Sequence, residues 1–153
     1  MEWKIKRFNQ LSPLELYDIL KAREEVFIME QECLYHDIDS KDLEAIHIFA
    51  QEDNQVACYL RVLDKGVSYD EISIGRVMTR PAYRGQGYGE QVMEKAIDYV
   101  EGVMGESKIR ISAQVYLERF YVNLGFEIVS EVYLEDGIEH HEMLYCSKKM
   151  NCT

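Results

Sequence analysis

Between residues 84 and 89 the chain reads Arg84-Gly85-Gln86-Gly87-Tyr88-Gly89, three glycines at alternate positions. Before it, Glu71–Thr79 has the pattern of a strand, stopped at Arg80-Pro81 by a residue that cannot donate to a ladder. After it, Val92, Met93, Ala96, Ile97, Val100 and Met104 recur three and four apart, one face of an amphipathic helix expected from Glu90 onward. A strand, a glycine turn and a core-facing helix in succession point to an α/β architecture. Glycine lets backbone N–H groups come close to an anion, and the helix start adds unpaired donors and a positive dipole end. The segment therefore reads as a phosphate-binding turn, with a purely structural turn as the alternative.

Two familiar phosphate motifs do not fit. A Walker loop needs Lys and Ser or Thr after its last glycine, where Glu90 stands. A dinucleotide fingerprint starting at Gly85 needs its third glycine at that same Glu90. What remains is Arg84-x-x-Gly87-x-Gly89.

The rest of the chain supplies one domain, residues 1–153, with no repeat, linker or low-complexity stretch. Trp3–Lys6 alternates like a first strand. Ser12-Pro13-Leu14-Glu15 is a helix start, with Ser12 as N-cap, Pro13 in the first turn and Glu15 closing a capping box. Leu16, Leu20, Arg23 and Phe27 continue it, and the polar, Asp-rich stretch 30–43 reads as a loop. Ile46–Ala50 and Val56–Leu63 are expected strands around a turn at Glu52-Asp53-Asn54. Beyond the central helix, Ile109–Val115 is a strand and Tyr116–Asn123 a short helix ended by Gly125. Phe126–Val129 and Met143–Cys146 are closing strands, with Asp136-Gly137 as the turn between them. The order β–α–β–β–β–α–β–α–β–β gives an α/β single domain with a central mixed twisted sheet flanked by helices.

The glycine motif matches the [Gln/Arg]-x-x-Gly-x-[Gly/Ala] signature of the GNAT N-acetyltransferases, whose loop amides hold the pyrophosphate of coenzyme A. Phe120-Tyr121-Val122-Asn123-Leu124-Gly125-Phe126 resembles the second signature of that family, a tyrosine four residues before Gly-Phe. Arg76-Val77-Met78 falls where the strand of such proteins splays and offers backbone groups to the pantetheine arm. The stretch from Val26 to Asp42 with His47, and Glu135-Asp136-Gly137-Ile138-Glu139-His140, is similar to the small bacterial ElaA-like branch, which commonly has proline where Glu139 stands.

The resemblance implies an acyltransferase that moves an acetyl group from acetyl-CoA to a primary amine of a small cationic molecule or protein. A non-catalytic coenzyme A-binding or protein-interaction module of the same fold is the competing function. The implied coenzyme contacts are Val77, Met78, Thr79, Arg84, Gly85, Gln86, Gly87, Tyr88, Gly89, Gln114 and Tyr121. The chemistry needs a deprotonated amine, a donor for the thioester oxygen near Val77–Met78, and a proton for the departing thiolate. Tyr121 is expected to supply that proton. His47 and Glu30 are candidate bases, with Tyr35, Asp37, Asp39 and His140 also chemically able; Tyr35, Asp37 and His140 are expected to contact the acceptor.

Charge and cysteines set the remaining expectations. With 28 acidic and 17 basic residues the net charge is −11, so neither nucleic acid nor a membrane surface is an expected partner. The longest apolar run, Val56–Leu60, is far too short to span a bilayer, and no apolar stretch follows Lys4, Lys6 and Arg7 as a signal peptide would require. Cys33, Cys58, Cys146 and Cys152 show no dense framework, so free thiols in the cytoplasm are expected. No metal is expected: no Cys-x-x-Cys pair occurs, and Asp37-x-Asp39-x-x-Asp42 has Asp42 where a calcium loop requires glycine. A homodimer is expected only because it is the commonest symmetric assembly. Coenzyme A must then bind an acidic protein through local donors: the 84–89 amides, the helix start and the cations Arg80 and Arg84.

Overall fold

The computed structural model describes residues 1–148. Eight strands form one mixed sheet in the order β1-β2-β3-β4-β5-β8-β6, with β7 paired to β8. The strands are β1 (Glu2–Arg7), β2 (Ile46–Glu52), β3 (Gln55–Leu63), β4 (Ile72–Thr79), β5 (Lys108–Gln114), β6 (Phe126–Ile128), β7 (Tyr133–Glu135) and β8 (Ile138–Cys146). Three helices complete it: α1 (Pro13–Arg23), α2 (Tyr88–Gly102) and α3 (Glu118–Asn123).

Every residue of β3 after Gln55 is buried, because helices cover both faces of the sheet. Alternation along the strands divides the core. Phe49 and Tyr59 pack with Ile19, Ala22 and Val26 on the α1 side. Ile48 and Leu60 pack with Val92, Met93 and Ala96 on the α2 side. The α1 start is the expected capping box: Ser12 Oγ accepts from the Glu15 N–H at 3.1 Å and the Glu15 carboxylate accepts from the Ser12 N–H at 2.8 Å.

Three differences from the sequence reading matter for the site. First, α1 does not stop where its regular winding does but runs on as a π-helical segment, Glu24–Glu30. The wider turn buries Val26 in the α1-side core and brings Glu30 beside the glycine turn. Second, α2 begins at Tyr88 rather than Glu90, with Gly87 as its N-cap. Third, Phe126–Val129 and Met143–Cys146 do pair antiparallel, with Phe126 opposite Tyr145, but the Asp136-Gly137 turn joins an intervening strand, β7, to β8 rather than those two segments directly. β7 is three residues long with an exposed Leu134, too short to show a period, and β8 begins five residues earlier than Met143, within a charged stretch.

Cys33 and Cys58 are buried free thiols, and burial pushes the Cys58 thiol up to about 12. Cys146 is disulfide-bonded, which corrects the expectation of a free thiol there; Cys152 lies outside the described residues. No helix among the described residues is long and apolar enough to cross a membrane.

Candidate active site

The site begins with an interrupted strand pair. β4 and β5, the parallel pair of the sheet, are in register only at Ile72↔Ile109 and Ser73↔Arg110. Beyond Arg110, β5 stays paired to β8 through Gln114↔His140, while β4 stays with β3. A bulge helps β4 turn away: its register with β3 shifts between Tyr59 and Arg61, and Arg76 takes a left-handed φ of 53°. From Ile74 onward the edge of β4 that faces β5 has no ladder partner. The gap opens into a cavity of about 790 Å³, lined by Val77, Met78 and Thr79 from β4 and by Ile111, Ser112 and Gln114 from β5.

The glycine turn closes the β4 side of this cavity. Gly85 and Gly87 have φ of 78° and 82°, a region that penalises any residue with a Cβ. Gly87 caps α2 with no side chain over its first-turn N–H groups, leaving those donors for another acceptor. Arg84 and Gly89 line the cavity, with Gly85, Gln86, Gly87 and Tyr88 forming the turn between them. The unpaired strand edge would suit amide groups of a pantetheine arm, and the uncapped helix start would suit a pyrophosphate. The residues present fit coenzyme A.

The two arginines expected to attract that anion behave differently. Arg84 lines the cavity, but both its terminal nitrogens lie 2.6 Å from the Glu30 carboxylate. That pairing holds the Glu30 carboxyl below its ordinary range. Arg80 is buried away from the cavity, 2.9 and 3.1 Å from Asp18, 3.1 Å from Glu25 and 3.1 Å from the Val56 carbonyl. It ties the end of β4 to α1, and the expectation that it serves the coenzyme is corrected.

Tyr121 enters the cavity from α3, edge-on to Phe120 and Phe126 at 5.0 and 5.8 Å between ring centres. Burial pushes its hydroxyl well above the ordinary tyrosine range, so it keeps its proton at neutral pH. Gln114 lies opposite Gln31, with its amide 3.4 Å from the Gln31 side-chain oxygen.

The remaining candidates separate by geometry. His47 does not line the cavity. It is 1% exposed, its Nδ1 lies 2.7 Å from the Tyr59 hydroxyl and its Nε2 2.9 Å from the Asp42 carbonyl. Burial pulls it below the ordinary imidazole range, and with both nitrogens engaged it cannot meet an acceptor in this cavity. Asp37 is likewise structural: it lies 3.0 Å from Arg23 Nε and 2.8 Å from Arg76 Nε. Asp39 and Asp42 both bind Arg61, and Asp42 also binds the fully buried Arg23. These charges brace the 31–45 loop and fix Arg76, whose guanidinium lies over the Tyr35 ring at 5.4 Å. Tyr35 lines the cavity, and its hydroxyl donates to Asp37 at 3.2 Å; burial pushes it above its ordinary range.

His140 does line the cavity. Its Nδ1 is 2.7 Å from the Ile138 carbonyl, its Nε2 is 3.2 Å from Glu135 Oε2, and Tyr133 stacks on its ring at 6.2 Å. Glu135 and Cys33 also line this cavity and were not expected there. The Asp136-Gly137 pair signals Glu135: a two-residue hairpin turn sets the residue before it opposite Ile138 and near His140. Cys33, whose thiol donates to the Asp136 carbonyl at 3.3 Å, has no such signal. Among the described residues, no group of three or more His, Cys, Asp or Glu is placed to hold a metal ion.

A sheet parted between a glycine turn and a buried tyrosine defines an acyl-coenzyme A-binding fold, and comparison with known proteins agrees. Residues 12–146 match the acetyltransferase (GNAT) domain family, and the chain belongs to that family. Within it the chain is closely related to ElaA. It is 36% identical to protein ElaA of Escherichia coli K12 over 142 residues, 92% of this chain and 93% of that one. The crystal structure of Escherichia coli ElaA superposes with a TM-score of 0.88 at 35% identity, covering 95% of this chain and 99% of that one. An acyl-CoA N-acyltransferase from Pseudomonas aeruginosa superposes with a TM-score of 0.90 at 40% identity, with the same coverage.

Proposed function

We propose that the chain is an acetyl-CoA-dependent N-acetyltransferase acting on a primary amine of a small cationic molecule or protein. The observation that carries this reading is the parting of β4 from β5 after Ser73, beside the Gly85–Gly87 turn and opposite Tyr121. The unpaired edge of β4 and the first-turn N–H groups of α2 hold the coenzyme, which supplies the activated acetyl group. An N–H of β4 near Val77–Met78 stabilises charge developing on the thioester oxygen. Tyr121, protonated in its aromatic pocket, gives its proton to the leaving thiolate.

The non-catalytic alternative keeps the coenzyme pocket but transfers nothing. Titration calorimetry with coenzyme A, followed by a thiol-release assay with acetyl-CoA over a panel of amines, separates the two. Binding with amine-dependent thiol release supports the enzyme, and binding without release supports the module. Absence of binding overturns both.

A further inference from the structure

Once His47, Asp37 and Asp39 are committed elsewhere and Glu30 is paired to Arg84, the imidazole of His140, beside the carboxylate of Glu135, still lines the cavity. The Ile138 carbonyl can only accept a hydrogen bond, so the proton of neutral His140 sits on Nδ1 and is donated to it at 2.7 Å. Nε2 is left as an acceptor. At 3.2 Å from it lies Glu135 Oε2, also an acceptor. The 3.2 Å contact needs a proton between the two groups: the imidazolium ring carries one there, and when the ring is neutral an alkylammonium group, with three N–H donors and one positive charge, supplies it instead. The ring is held in place by Tyr133 stacking and the β7–β8 hairpin, whereas Glu135 is half exposed and its Oε2 accepts a long hydrogen bond from the Ser112 hydroxyl at 3.4 Å. Glu139 lies in register opposite Leu134, and His140 keeps both of its contacts.

We propose that Glu135 and His140 form a cradle for the ammonium group of the acceptor, and that His140 Nε2 takes its proton. This rests on the acetyltransferase reading above. One proton passes from the ammonium to His140, and the freed amine lone pair attacks the thioester carbonyl. The carbon–sulfur bond breaks, the thiolate takes the Tyr121 proton, and the acylated nitrogen loses its second proton, which restores Tyr121 through solvent. The His140 proton leaves to water, so the ammonium and acetyl-CoA yield an amide, a free thiol and one released proton. The groups around His140 are Glu135 and Tyr133 on β7, both hydrogen-bonded to Ser112, and Gln114 opposite it on β5; Cys33, Tyr35, Arg76 and Asp136 line the same cavity.

The test uses His140→Gln and Glu135→Gln in the full chain, with cadaverine as the probe amine. His140→Gln is expected to lower kcat/KM for cadaverine at neutral pH by about 10²-fold. Raising the pH toward the amine pKa, where solvent deprotonates the acceptor, should recover much of that loss. Coenzyme A affinity should not change. Glu135→Gln should raise KM for cadaverine several-fold with a smaller effect on kcat. Ring-nitrogen NMR of the wild-type protein provides a readout independent of turnover and of the folding of either variant. At a pH where the ring is neutral it should show the His140 proton on Nδ1 and an Nε2 signal that moves when cadaverine is added. An Nε2 proton in the neutral ring, an unmoved signal, or a His140→Gln variant with unchanged rate and pH profile would overturn the cradle. Loss of coenzyme A binding by the wild type would instead overturn the acetyltransferase reading, while the NMR titration still decides the amine site.

Discussion

Glu30 at the end of the π-helical segment and Arg84 at the start of the glycine turn meet in a two-pronged pair, with both nitrogen–oxygen distances 2.6 Å. The pair places a carboxylate beside the loop that would receive a pyrophosphate. Glu30 would therefore compete with a bound coenzyme for Arg84. Glu30→Gln is expected to tighten coenzyme A binding by about threefold, the scale of an exposed ion pair, as read by calorimetry. Turnover at saturating acetyl-CoA should stay within about twofold of wild type, far from the effect of removing a positioned base. A loss of turnover approaching that of His140→Gln would return Glu30 to the list of bases.

Tyr121→Phe isolates the hydroxyl, because the ring and its edge contacts with Phe120 and Phe126 are retained. Turnover should fall at least tenfold, at the low end of what a positioned acid contributes, with coenzyme A affinity near normal. Burial holds the hydroxyl protonated, so the wild-type rate should show no fall between neutral pH and the ordinary tyrosine range that Tyr121→Phe abolishes. Unchanged turnover in stopped-flow thiol release removes Tyr121 from the chemistry.

What could be read from sequence is what local conformation dictates. The alternation of β4, the left-handed glycines and the period of α2 are properties of a few neighbouring residues, so the coenzyme loop is legible. The fate of side chains that reach across the fold is not. Arg80 and Arg84 look equivalent beside one turn, yet their carboxylate partners Asp18 and Glu30 stand 62 and 54 positions away. His47 has the right chemistry in sequence and is disqualified only by Tyr59 and the Asp42 carbonyl closing on both nitrogens. Glu135 escapes attention because the strand that carries it is three residues long and depends on β8 for its existence.

Acid stability should report the link between β1 and α1. Burial works against the Glu15 charge, but hydrogen bonds from Lys4, the Ser12 N–H and Lys6 outweigh it and bring the carboxyl to about 2 from 4.5. A carboxyl lowered on folding contributes stability that is present above its unfolded value and lost as pH falls through its folded one. Glu15 therefore contributes on the order of 2–3 kcal/mol above pH 4.5, fading toward pH 2. Glu15→Gln keeps the capping geometry and removes the charge. Thermal denaturation should show a lower Tm at neutral pH and a shallower decline between pH 4.5 and 2 than wild type. Parallel Tm–pH curves would place the stabilisation elsewhere.

The net charge of −11 makes coenzyme A an anion approaching an anion. Long-range repulsion weakens as salt shortens the Debye length, which is about 8 Å at physiological strength. Direct pairing with a free cation has the opposite salt dependence. Both arginines next to the turn already carry carboxylate partners, so on the proposed reading backbone N–H groups would supply most of the attraction in the wild type. Coenzyme A affinity is therefore expected to hold level or rise as salt increases from low ionic strength. In Glu30→Gln, Arg84 is released to the phosphates and affinity should fall over the same range. The contrast in slope, measured by calorimetry on the two proteins in matched buffers, distinguishes capture by amides from capture by Arg84. A steep fall already present in the wild type would mean that the pyrophosphate displaces Glu30 from Arg84 unaided.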